Sequence, residues 1–104
     1  MKSVPHTAVA INDKFWAPRR QTNRTQTLDA QYRQLRDTGT LNLFRHGAKP
    51  AKPFFPFLDS DLAKWIEAAS YSLATHPDAK LAQRLDEVVD LVISAQQPDG
   101  YLNT

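Results

Sequence analysis

The stretch from Phe57 to Ala69, FLDSDLAKWIEAA, constrains the fold more strongly than its flanking segments do. Apolar residues recur at steps of three and four in this stretch and just beyond it, on one face of an α-helix: Leu62, Trp65, Ile66, Ala69 and Leu73. The spacing predicts a helix over residues 60–74. Trp65 lies on the apolar face and is expected in the core, whereas Lys64 lies off that face and is expected to pair with an acid or with solvent.

Two acids flank a serine at the start of this helix. Asp59 or Ser60 stands at the expected N-cap, where a short side-chain oxygen accepts a hydrogen bond from a backbone N–H without a partner in the helix. Asp61 falls in the first turn, where the helix dipole favours negative charge. Capping is the simpler interpretation of these acids. The alternative is that one of them holds a ligand hydroxyl in a polar pocket, and the residue pattern leaves both open.

A second amphipathic pattern predicts a helix over residues 79–97. Its stripe is the clearest in the chain and consists of Leu81, Leu85, Val88, Val89 and Val92, broadened by Leu91 and Ile93. The charged residues Arg84, Asp86, Glu87 and Asp90 are expected to face away from it. The sequence THPD predicts a turn before this helix, with Asp78 as its N-cap. Two consecutive helices joined by a short turn indicate an antiparallel hairpin, which is the repeating unit of helical bundles and toroids.

The N-terminal part predicts an extended arm followed by one more helix. Residues 1–20 are expected to form the arm, with Phe15 and Trp16 anchored in the core. Residues 22–37 carry a narrow apolar stripe on an otherwise polar helix, and Gly39 fits the position that ends it.

A long connection over residues 40–57 separates this helix from the next. Loops of this length inside a domain are often functional. His46 within it is a candidate polar contact, although a lone histidine is more often structural or exposed.

Composition narrows the classes of function. The chain has 104 residues, a net charge of +2 and no cysteine, so it supplies no disulfide, thiolate metal site or cysteine nucleophile. Its basic residues form only short, interrupted clusters, which indicates solvated faces and no nucleic-acid binding. No apolar run approaches the ~18 residues that span a bilayer, so no membrane association is expected. With no secretory signal apparent, we expect a cytoplasmic location.

Three runs of the sequence together resemble a known family. They are VAINDKFWAPRRQTNRTQTLDAQYRQLRDTG, FLDSDLAKWIEAASYSLATHPDAKL and DEVVDLVISAQQPDGYLNT, and their order and spacing are similar to the N-terminal part of the glycoside hydrolase family 127 catalytic domain, the β-L-arabinofuranosidase family. The resemblance covers Val9 to Thr104. It implies an all-α fold, with antiparallel helices forming part of an (α/α)6 barrel, a short extended arm over residues 1–20, and helices and loops over residues 21–104.

The resemblance also implies a chemistry. Members of the family hydrolyse β-L-arabinofuranosides with retention, using a cysteine thiolate that zinc keeps deprotonated and a glutamate as general acid/base. Because this chain has no cysteine, the resemblance places no catalytic residue and no metal ligand in it. We therefore expect an N-terminal fragment of a longer protein, inactive alone, whose partners are the carbohydrate substrate and the remainder of the barrel. Zinc is implied only for the full-length protein.

Five residues are candidates for the sugar-binding wall. The resemblance places Phe57 and Asp59 beside the substrate pocket, and the turn QQPDGY adds Gln97, Asp99 and Tyr101. Aromatic rings stack on sugar faces, and carboxylates and amides pair with neighbouring hydroxyls. For Asp99 the alternative role is turn formation through its own side chain. The proline- and phenylalanine-rich segment over residues 45–61 departs from the family pattern. The resemblance therefore does not give the local loop shape, on which the Phe57 and His46 assignments depend.

A second function from a different class also fits the pattern. The helical hairpin, the aromatic-rich loop and the lack of a complete catalytic set are compatible with a small non-catalytic helical module that binds a protein partner.

Overall fold

The computed structural model of the protein describes residues 1–45 and 57–104. Within these ranges every regular element is helical, so the all-α prediction is confirmed there, and His46 lies outside the described residues. The α-helices are α1 (Trp16–Thr22), α2 (Leu28–Asp37), α3 (Leu58–Thr75) and α4 (Ala79–Ser94). Short 3-10 turns occupy His6–Ala8 and Leu41–Phe44, and a π-helical segment, Asn23–Thr27, joins α1 to α2.

The first helical run begins at Trp16, earlier than the predicted residue 22, so the extended arm does not reach residue 20. The cause is Asp13, whose Oδ1 accepts the backbone N–H groups of Trp16 (2.6 Å) and Ala17 (3.0 Å) and so satisfies two donors at the helix start. Pro18 follows within the first turn, where a missing N–H costs no helical hydrogen bond.

Capping distinguishes α3 from α4. At the start of α3 the Ser60 hydroxyl donates to the Phe57 carbonyl (2.8 Å), and no side chain caps the helix, so the predicted cap by Asp59 or Ser60 is wrong. Asp61 does lie in the first turn, and it pairs with Lys64 at 3.2 Å, as predicted.

The start of α4 follows the prediction and its end does not. Asp78 Oδ1 accepts the N–H groups of Lys80 and Leu81, both at 3.0 Å, which confirms the cap. The helix ends at Ser94 instead of residue 97. The N–H of Gln96 bonds to a carbonyl only three residues back, so the last turn tightens and Gln97 lies beyond the helix.

Trp65 lies at the centre of the core. It is only 2% exposed, its Nε1–H donates to the Leu28 carbonyl at 2.9 Å, and the Tyr32 ring lies 5.4 Å away, centroid to centroid. α3 contacts both α2 and α4. The other buried apolar residues come from α2, the 3-10 turn Leu41–Phe44, α3 and α4: Leu28, Leu41, Phe44, Leu62, Ala69 and Val88. Four residues of the stripe predicted on α3 therefore belong to the core, namely Leu62, Trp65, Ile66 and Ala69, whereas Leu73 is not part of this cluster.

One prediction about burial is wrong, and two core residues come from a segment predicted as a connection. Phe15 and Trp16 were expected to anchor the arm in the core, but they are 53% and 56% exposed, because they stand at the start of α1, outside the cluster around Trp65. Leu41 and Phe44 were assigned to the long connection, yet both are buried. The positive φ of Gly39 (84°) reverses the chain after α2 and folds them back onto α2 and α4.

An ion pair joins α2 to α4. Arg84 Nη1 donates to Asp29 Oδ1 at 2.6 Å, Arg33 contacts the other carboxylate oxygen at 2.8 Å, and the Arg84 guanidinium lies 4.3 Å from the centre of the Tyr32 ring. Arg84 therefore faces α2, contrary to the prediction that it faces away. Its hydrogen bond lowers the pKa of the Asp29 carboxyl below the usual value, and the charge of Arg33 contributes.

The assembly leaves much of its surface uncovered. Its accessible surface is 8008 Å², whereas a folded monomer of 11.8 kDa exposes about 5,900 Å². Its radius of gyration is 16.0 Å, against about 13 Å for a compact domain of this length. The described helices include none long and apolar enough to cross a membrane.

We predict that Asp78→Ala lowers the free energy of unfolding by about 1 kcal/mol, because two N–H groups at the start of α4 lose their acceptor. Chemical denaturation measures this loss. Asp86→Ala is the matched control, since Asp86 is exposed in the middle of the same helix, and it should change stability by less than about 0.5 kcal/mol. Equal losses in the two variants would contradict the capping role.

The Asp29 pair predicts a pH dependence. Because the folded-state pKa of Asp29 is lowered, its stabilising contribution is present above about pH 4 and is lost as the pH falls through the folded-state value. Asp29→Asn should therefore be less stable than the parent at pH 7, and the difference should narrow at lower pH. Denaturation series from pH 7 to pH 3 test this, with Asp86→Asn as a control. A difference independent of pH would show that the charge of Asp29 is not the cause.

Candidate functional site

The carboxylate of Asp59 joins the start of α3 to the C-terminal segment. Its Oδ2 accepts the backbone N–H of Thr104 at 2.8 Å, and its Oδ1 accepts the Thr104 hydroxyl. These bonds connect residues 45 positions apart in the sequence. Asp59 is half-buried and sits in the first turn, where the helix dipole stabilises its negative charge. Sequence reasoning missed Thr104, because nothing in its local pattern marks a contact so distant in the chain.

The turn over residues 97–101 is closed by its own hydrogen bonds. The Gln97 N–H donates to the Tyr101 carbonyl at 2.8 Å, and the Gly100 N–H donates to the Gln97 carbonyl at 2.9 Å. Gly100 has a φ of 90°, which an L side chain rarely adopts, so glycine is required at this position. Outside this ring of bonds, the Gln96 side-chain amide donates to the Gly100 carbonyl at 2.9 Å. The turn is therefore a defined shape that can present side chains.

Asp99 shapes this turn. Its Oδ1 accepts the N–H of Tyr101 at 3.0 Å, which is the turn-forming role weighed for it from the sequence. Tyr101 is 54% exposed, and its Oη accepts a hydrogen bond from the Asn103 amide at 3.2 Å. One Asp99 oxygen is thus engaged by the backbone, and whether the other meets a ligand stays a prediction.

The structure brings the five predicted wall residues to two connected places. Phe57, 59% exposed, and Asp59 stand at the start of α3. Gln97, Asp99 and Tyr101 belong to the turn that leads to Thr104, and Thr104 contacts Asp59. An ionised carboxylate offers about four acceptor sites, and Thr104 uses two of those on Asp59. Asp59 therefore retains capacity for ligand hydroxyls, and the exposed rings of Phe57 and Tyr101 offer flat apolar surfaces.

An open groove of about 870 Å³ lies elsewhere, between the N-terminal arm, α1 and the C-terminal half of α3, and none of the five residues lines it. Trp16, Tyr71, Arg20 and Arg24 line it. The sequence signal is the cluster Arg19, Arg20 and Arg24, one of the short basic clusters for which the sequence predicts a solvated face.

The zinc site that the family resemblance implies does not fit this chain. The sequence contains no cysteine, and the residues at 1–45 and 57–104 bring no three histidine, aspartate or glutamate side chains together as metal ligands. No step of a reaction is therefore assigned to a metal held by these residues.

Comparison with known proteins identifies the family. The family model for the beta-L-arabinofuranosidase GH127 catalytic domain matches residues 8–104. The chain belongs to this family. Its helices are those of a GH127 catalytic domain, and no observation favours the alternative of a separate protein-interaction module.

Individual GH127 relatives agree with this assignment. The non-reducing end beta-L-arabinofuranosidase of Bifidobacterium longum subsp. longum is 56% identical over 48 residues, which is 46% of this chain and 7% of that protein. The solved GH127 beta-arabinofuranosidase BT3674 superposes with a TM-score of 0.85 at 42% identity over 95% of this chain. The GH127 beta-L-arabinofuranosidase of Geobacillus stearothermophilus T6 superposes with a TM-score of 0.79 at 36% identity over 91% of this chain. This chain spans 16% of each solved chain.

We predict that Asp59→Ala releases the C-terminal segment from α3. The Thr104 N–H loses a charged acceptor, so its hydrogen-exchange protection should fall by about tenfold. Asp61→Ala is the matched control, because Asp61 lies two residues away and pairs only with Lys64 among the described contacts. Unchanged exchange at Thr104 in the Asp59 variant would contradict the link.

Proposed function

We propose that this chain contributes the first helices of a catalytic domain that hydrolyses β-L-arabinofuranosides with retention of configuration. The observation that carries the proposal is the superposition on a solved GH127 beta-arabinofuranosidase, with a TM-score of 0.85 at 42% identity over 95% of the chain. At 42% identity the two proteins share sequence as well as fold. The arabinofuranosidase activity of these relatives supplies the substrate class.

In this proposal the α3–α4 hairpin is one unit of an (α/α)6 barrel that the remaining helices of the domain complete. The accessible surface of the chain, larger than that of a folded monomer of its mass, supports it, because uncovered helical faces need further helices to pack against. The three-residue connection between the two helices also suits the repeated hairpins of such a barrel.

The sugar-binding role falls to the start of α3 and the 97–101 turn. Asp59 accepts hydroxyl hydrogen bonds while its contact with Thr104 fixes its orientation. Gln97 and Asp99 add an amide and a carboxylate from the turn. Phe57 and Tyr101 are more than half exposed and offer ring faces to the apolar face of the sugar. These groups bind and orient the substrate, and none of them breaks the glycosidic bond.

The reacting groups lie outside these 104 residues in our proposal. Retention requires a nucleophile and an acid/base on opposite sides of the bond that breaks. The cysteine nucleophile and zinc expected from the family need thiolates that this chain does not have. The other expectations from the sequence, a cytoplasmic location and no nucleic-acid partner, stay predictions.

The first test is the activity of the complete protein that carries this chain on p-nitrophenyl β-L-arabinofuranoside, measured as release of p-nitrophenol. We expect hydrolysis with retention, observed by NMR as the β-anomer of the sugar appearing first. A folded complete protein that hydrolyses no arabinofuranoside would contradict the proposed activity.

Tyr101→Leu in the active protein tests the sugar-binding wall. Loss of ring stacking should raise KM by about tenfold, which corresponds to about 1.4 kcal/mol, and leave kcat within about twofold. Phe15→Leu is the matched control, because the Phe15 ring is equally exposed (53%, against 54% for Tyr101) and belongs neither to the sugar-binding wall nor to the groove lining. Equal changes in KM for the two variants would remove Tyr101 from the site.

A further inference from the structure

The groove between the N-terminal arm and α3 has an apolar lining that is open to solvent. Val9 (48% exposed) and Ile11 (37%) line it from the arm, Trp16 (56%) from α1, and Tyr71 (53%) from α3. The His6 ring meets the Tyr71 ring edge to face at 4.8 Å, which fixes the arm against α3. These side chains form one continuous lining, unlike scattered surface residues. A contiguous exposed apolar patch of this kind marks an interaction site.

The charged residues of the groove all carry one sign. Arg19, Arg20 and Arg24 line it, and its lining includes no aspartate or glutamate. The Arg19 guanidinium is already engaged, since it bonds to the Phe15 carbonyl at 2.8 Å and lies 3.7 Å from the centre of the Phe15 ring. Arg20 and Arg24 pair with no carboxylate in the part of the chain that the structure describes. The groove therefore favours an occupant that combines apolar side chains with negative charge.

Two observations favour an occupant from the same polypeptide. The chain as a whole exposes about a third more surface than a folded monomer of its mass, and that excess is the size of a stable interface. This chain also spans only 16% of a solved GH127 chain on which it superposes closely. A segment tethered to the groove binds at a high effective concentration. A second copy docked by a two-fold axis would instead bring two arginine-rich grooves together, and their like charges repel.

We propose that this groove is the docking surface for a segment of the same polypeptide outside residues 1–104, one that places an aspartate or glutamate on Arg20 or Arg24 and apolar side chains on Trp16 and Tyr71. The contact secures the N-terminal arm and α1 to the rest of the molecule. This inference rests on the proposed function in that it takes this chain as the first part of a longer GH127 domain. It uses none of the residues assigned to sugar binding.

Zero-length cross-linking in the complete protein tests the proposal. Arg20→Lys and Arg24→Lys keep the charge and introduce an amine that a water-soluble carbodiimide couples to a carboxylate in direct contact. Peptide mass spectrometry of the monomer band should find at least one variant joined to an aspartate or glutamate outside residues 1–104. Arg36→Lys is the matched control, because Arg36 lies outside the groove and pairs with Asp37 at 2.8 Å. It should not couple to the same segment.

Oxidation of Trp16 by hydroxyl radicals gives a second measurement on the unmodified protein. A covered indole should react at least about fivefold more slowly in the native than in the urea-unfolded protein, as expected for the buried centre of an interface. An uncovered Trp16, 56% exposed, should be slowed by only about twofold.

Three outcomes overturn the proposal, and none depends on catalytic activity. The first is cross-links found only between two copies in a dimer band, which would assign the groove to self-association. The second is coupling of both groove variants and the Arg36→Lys control to the same carboxylates. The third is the absence of any cross-link together with fast oxidation of Trp16, which would leave the groove open to solvent.

Discussion

The burial of Trp65 is the interaction on which the rest of this structure depends. Its indole is almost fully enclosed, and its N–H donates to the Leu28 carbonyl at the start of α2. A buried N–H without an acceptor costs free energy, so this bond fixes α3 against α2 at a single depth. Leu62 and Ala69 lie one turn away on either side, and Val88 of α4 joins the same cluster. Moving Trp65 would therefore disturb the packing of three helices.

Once its middle is fixed, α3 positions two separate surfaces. Its first turn carries Asp59, which holds the C-terminal segment, and its last turns carry Tyr71, which lines the groove with the N-terminal arm. The arginines between the helices and those in the groove differ in whether an acid neutralises them. Arg84 is neutralised by Asp29 and packs on an aromatic ring between helices, whereas Arg20 lines the groove and pairs with no acid among residues 1–45 and 57–104. The first contributes to the internal packing, and the second is available to bind.

Helix positions were predictable from the sequence because they depend on local spacing. The apolar period located α3 and α4 and placed Trp65 in the core, and the short side chain of Asp78 identified the cap of α4. Boundaries were less accurate. The start of α1 depends on Asp13 bonding to amides three and four residues ahead, and the same residue types at Asp59 and Ser60 do not cap α3. Capping needs a particular backbone geometry as well as a particular residue.

The sequence by itself determined the helical class, the α3–α4 hairpin, the turn at Gly100 and the motifs that resemble the GH127 family, because each rests on residues within a few turns of one another. Only the tertiary structure decided which distant residues meet. It set Asp59 on Thr104 and Arg84 on Asp29, buried Leu41 and Phe44, and left Trp16 exposed. A periodic pattern specifies which face of a helix is apolar, but the contact that covers that face is chosen by the packing of the whole chain.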